Sequence, residues 1–121
     1  MLAGVIGVLG VGLISLSATL TKTAAPSSGR VTSDTVTVNV PGGSAGQLTF
    51  MNFSYSGTVG EEYSKNGGAF GVITDGTTIT FANGDTLAVR GTGMTAGESW
   101  TFTLKDEGRG TTLATYVITA S

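Results

Sequence analysis

A chain of 121 residues with no cysteine, no histidine, 12% charged residues and a formal net charge of −2 has no disulfide staples, no cysteine metal site and no histidine general base. Its six basic residues, Lys22, Arg30, Lys65, Arg90, Lys105 and Arg109, are scattered, so the basic footprint of a nucleic-acid binder is missing. The length admits one small domain beside an N-terminal segment and leaves no room for a second.

Residues 1–21 carry no charge, and Lys22 is the first. As a helix rising about 1.5 Å per residue this run is about 30 Å long, the hydrocarbon thickness of a bilayer. A secretory signal peptide needs a basic region ahead of its apolar core, and nothing basic precedes this one. Gly4, Gly7, Gly10 and Gly12 each cost a helix in water about 1 kcal/mol. Small residues become useful where helices pack closely on helices. The expectation is a hydrophobic, membrane-length helix over residues 1–25, apolar on all sides. Its packing residues are Leu2, Val5, Ile6, Gly7, Val8, Leu9, Gly10, Val11, Leu13, Ile14 and Leu16. Pro26 disfavours helix at Ala25, and residues 26–30 read as a linker.

From Val31 the pattern turns to alternation rich in Thr, Val, Phe and Tyr, which is strand chemistry. Strands are predicted over residues 35–40, 48–55, 69–74, 77–81, 87–89, 99–105 and 112–119. Asp75-Gly76 reads as a hairpin turn between the third and fourth, and residues 106–110 as the loop between the last two. Seven short strands at this spacing predict an antiparallel two-sheet sandwich over residues 31–121, immunoglobulin-like in the broad sense, with Val36, Val38, Trp100, Phe102 and Leu104 in its core. The fold class so read is α+β, a long N-terminal helix followed by an all-β head.

Two further features bear on chemistry. Asp34, Glu61, Glu62, Asp75, Asp85, Glu98, Asp106 and Glu107 lie mostly in turn contexts, which suits solvated turn residues better than a glycosidase pair or a calcium site. No phosphate loop, nucleophile elbow or dinucleotide fingerprint is present, so no catalytic residue, cofactor or metal is expected. Asn52-Phe53-Ser54 is the one N-glycosylation sequon.

An uncharged N-terminal segment, a short connector and a Thr-rich sandwich resemble the archaeal type IV pilins and archaellins over the whole chain. Ile79-Thr80-Phe81-Ala82-Asn83-Gly84-Asp85-Thr86-Leu87-Ala88-Val89, followed by residues 94–104, is similar to the strand–turn–strand wording of those heads. Bacterial type IV pilins place glutamate at the fifth mature position, whereas Val5 stands here, which favours the archaeal branch. The resemblance implies that Met1 is the mature N-terminus, left by leader removal. It further implies a structural subunit of an extracellular, cell-surface filament, drawn from a membrane-held pool, polymerised through bundled helices and used for adhesion. Its partners are then copies of itself, with neither nucleic acid nor a small-molecule substrate as ligand. The alternative is a membrane-anchored binding module with a β-sandwich ectodomain.

Overall fold

The computed structural model describes residues 13–43 and 45–121, and these form two β-sheets, one short 3-10 turn and no α-helix. The strands in chain order are β1 (Ser15–Leu16), β2 (Lys22–Ala24), β3 (Val31–Thr32), β4 (Val36–Asn39), β5 (Ala45–Ser56), β6 (Gly60–Lys65), β7 (Gly71–Val72), β8 (Thr77–Ala82), β9 (Thr86–Thr92), β10 (Ser99–Asp106) and β11 (Thr111–Ala120). One sheet runs β1-β4-β9-β6-β7, with β3 also on β9, and the other runs β2-β11-β10-β5-β8.

The expected α+β class with its long N-terminal helix is therefore corrected to an all-β architecture. Among the described residues no helix is long and apolar enough to cross a membrane. Residues 1–12, and with them Leu2, Val5, Ile6, Gly7, Val8, Leu9, Gly10 and Val11, lie outside the described residues. Over residues 13–25 the reason for the correction is a two-residue period. Ile14, Leu16, Ala18 and Leu20 alternate with Ser15, Ser17, Thr19 and Thr21, a pattern that segregates faces on a strand and scatters them on a helix. Ile14 and Leu20 are buried in the core. Leu16 pairs with Val38 across β1 and β4, and β2 lies parallel to β11 with Lys22 beside Ile118. The segment 26–30 is tied in as well: Ser27 and Arg30 exchange backbone hydrogen bonds, and the Met94 N–H donates to the Gly29 carbonyl at 2.8 Å. The folded unit thus reaches back to Leu13, using both sheets.

The core sits between the sheets. Every second side chain of β10 points inward, so Trp100, Phe102 and Leu104 are all fully buried, together with Val36, Val38, Leu87 and Val89 from the opposite sheet. Trp100 and Phe102 stack at 4.5 Å and Phe53 meets Trp100 edge-on at 5.2 Å, geometries that aromatic quadrupoles favour.

Of the two connections read from the sequence as joining neighbouring strands, the loop over residues 106–110 joins a paired hairpin and the other crosses between sheets. Among the described residues only β6 with β7 and β10 with β11 are consecutive strands that pair. Asp75-Gly76 does not join paired strands: β7 belongs to one sheet and β8 to the other. The Asp75 carboxylate accepts hydrogen bonds from the Asn52 and Phe53 N–H groups at 3.1 and 3.2 Å, and the Gly76 N–H donates to the Phe50 carbonyl. That turn is anchored to β5, which explains why the chain changes sheet there.

Candidate functional site

A two-sheet sandwich has edges, and an edge strand with free backbone groups invites another chain to pair with it. The edges of this molecule are treated differently. On β8 the Lys65 ammonium donates to the Thr80 carbonyl at 2.7 Å, lies 5.5 Å from the Phe81 ring and stands 3.7 Å from an Asp85 carboxylate oxygen. Lys65 closes β6 of the other sheet, and its charge laid over the β8 edge guards against strand addition. The β7 edge is two residues long, too short to template a strand.

Among the described residues the edge at β11 is left open. This strand is ten residues long, yet β2 pairs only with Ile118, Thr119 and Ala120. Among the described residues no strand pairs with residues 111–117 on the side away from β10. The Val117 N–H donates to the Thr21 hydroxyl at 3.2 Å and the Ser121 N–H to the Ala24 carbonyl at 2.9 Å, so odd-numbered backbone groups face this edge. By the two-residue period of a strand, the N–H and C=O of exposed Thr115 face it too.

Beside this edge runs a groove of about 530 Å³, lined by Leu13, Leu16, Leu113, Ala114 and Tyr116 and by no charged residue. Burial pushes the Tyr116 hydroxyl above the ordinary phenol range. Residues 13–19 form the groove's second wall, held on the opposite sheet where Ser17 exchanges bonds with Thr37 of β4. In a neighbouring cavity that shares Ile14 with the groove, the buried Asp106 carboxylate accepts the Ile14 N–H at 3.0 Å and the Arg109 N–H at 3.2 Å. Gly46 makes room for the Ile14 side chain, since a Cβ there would fall 2.6 Å from Ile14 Cδ1. These contacts fix Ile14, near the first described residue, beside Asp106.

Of the residues expected to pack in a helix, Leu13 and Leu16 therefore lie in the groove wall and Ile14 in the core beside it. Leu13 is 41% exposed. The open β11 edge and its groove were not anticipated. The strict alternation of residues 14–21 was the signal that could have revealed them.

Asp75, Asp85, Glu98 and Asp106 accept backbone N–H groups, while Asp34, Glu62 and Glu107 take side-chain partners. Asp85 takes the Ala82 N–H at 2.8 Å, and Glu98 takes the Thr95 and Thr58 N–H groups at 2.9 and 3.3 Å. Those bonds hold both carboxyls below the usual range. Glu61 is pushed the other way by burial. Among the described residues no three potential metal ligands of the His, Cys, Asp or Glu type lie together. Asn52 is exposed, with a left-handed φ of 56°, where β5 shifts register against β10 between Thr101 and Thr103. That bulge turns the sequon outward.

No protein-family model matches the chain, and comparison with curated proteins and with solved structures returns no match.

Proposed function

We propose that this chain is the structural subunit of an extracellular surface filament and that it polymerises through the open β11 edge. The carrying observation is the contrast between a β8 edge guarded by Lys65 and a β11 edge whose residues 111–117 have no partner strand among the described residues. Strand addition uses such an edge, with main-chain hydrogen bonds for affinity and side-chain pockets for selectivity. If the group that fills the edge comes from elsewhere on another copy, the contact is heterologous and does not close, which yields an open helical polymer. The low charge of the chain and the outward-facing Asn52 sequon support a surface setting, where neighbouring subunits or sugars cover the threonine-rich faces. The likeness to archaeal pilins supports the filament; the bundled-helix core has no place in this reading.

The test is assembly of the purified full-length chain across a concentration series, followed by light scattering and negative-stain micrographs. Filaments with a helical repeat are expected. A monodisperse monomer at every concentration overturns the reading and favours the anchored binding module.

A further inference from the structure

We propose that the strand completing the β11 edge is supplied by residues 2–12 of a second copy of this chain, laid along residues 111–116 with alternate side chains in the Leu13–Leu113–Ala114–Tyr116 groove. This rests on the assembly reading above and names the partner and the segment.

Length and chemistry both fit. Short of Val117, whose N–H is taken by Thr21, the open edge spans residues 111–116, about 20 Å at 3.3 Å per residue. Twelve extended residues reach about 40 Å, so the segment can fill the edge and still span to its own sandwich. Residues 2–12 hold no charge, and the groove presents none. Val5, Ile6, Val8 and Val11 are β-branched, the residues that pack best on a pleated surface. Gly4, Gly7 and Gly10 allow close backbone approach.

A second copy is favoured over the chain's own segment by what the two faces of such a strand require. Leu2, Ile6 and Val8 fall on one face and Val5, Leu9 and Val11 on the other. Strands apolar on both faces need cover on both. The groove of one sandwich covers a single face, and the Thr-bearing outer face of β11 extends beside it. A strand running between two subunits meets the acceptor's groove on one side and the donor's sandwich on the other.

The experiment exploits the lack of cysteine. Full-length single-cysteine variants Val5→Cys, Ile6→Cys, Val8→Cys and Leu9→Cys are each mixed with isotope-labelled Ala114→Cys, allowed to assemble, and oxidised. Mixed covalent dimers are read by intact mass, with Val72→Cys on the exposed β7 as the control acceptor. The expected result is dimer formation that alternates along the donor with a period of two and is lost with the control. A filament in which mixed dimers are missing or show no alternation overturns this proposal and leaves the assembly reading standing. Failure of the wild-type chain to polymerise overturns the assembly reading and this proposal with it. A Val8→Cys, Ala114→Cys double variant that closes its bridge only within one chain assigns the groove to the chain's own segment, which also overturns the proposal.

Discussion

The two edges of the β2-β11-β10-β5-β8 sheet solve the same problem in opposite ways. At β8 a single cation does three jobs: Lys65 donates to the Thr80 carbonyl, covers the Phe81 ring and faces Asp85. At β11 the neighbouring strand stops after three paired residues, and the gap beyond is walled by Leu13, Leu16, Leu113 and Ala114. Charge with a fixed hydrogen bond excludes a further strand, because pairing there displaces the bond and desolvates the ammonium. An uncharged, apolar gap does the reverse. The difference teaches that edge protection in this fold is local to one side, so that association has a direction.

Moving the guard across the molecule breaks the comparison most sharply. Ala114→Lys places an ammonium in the groove, and desolvating it on strand addition costs about 3 kcal/mol, roughly a hundredfold weaker association. The expected outcome is a β-rich monomer by circular dichroism and sedimentation at concentrations where the unsubstituted chain polymerises. Filaments of normal length at unchanged concentration would remove the open edge from the account.

Removing the guard sharpens it from the other side. Lys65→Ala deletes the bond to Thr80 and the contact with Phe81, a loss of about 1 kcal/mol for a half-exposed group. The urea midpoint should fall slightly. The exposed β8 edge should then produce lateral bundling of filaments in micrographs, absent from the parent.

The smallest effect is on acid stability. Asp85 is held below its usual range, first by the Ala82 N–H, then by Asn66, with Lys65 adding to both. A carboxylate whose folded pKa is depressed contributes stability above its unfolded pKa and loses it as pH falls through the folded one. Glu98 and Glu107 share that sign; Glu61, raised by burial, has the opposite one and loses its contribution as pH rises. Urea midpoints measured from neutrality down to about pH 3 should therefore decline, and Asp85→Asn should flatten part of that decline.

Much of the sandwich was legible residue by residue. The alternation of Val36 with Val38 and of Trp100, Phe102 and Leu104 placed those side chains in the core, where they are buried. The loop over residues 106–110 does join two paired strands. The β6 strand escaped notice because Glu61, Glu62 and Lys65 give it a polar surface, although its partner β9 buries Ser64. The turn at Asp75-Gly76 carried hairpin chemistry, but nothing local shows that its carboxylate is taken by the β5 backbone.

The N-terminal region divides most clearly between the two sources of information. Composition by itself determined that residues 1–21 are uncharged and that their larger apolar side chains favour burial, because exposed apolar surface is costly. Absence of charge sets burial and not conformation, and for residues 13–25 the tertiary structure decided the conformation. Ile14 is held by Asp106, 92 positions away, and Leu20 fills the space between two sheets formed by distant strands. The open edge was decided there too. A strand edge is free only when every other strand has been placed, and the pairing of β2 with the last residues of β11 is a contact across 96 positions of chain that no local pattern encodes.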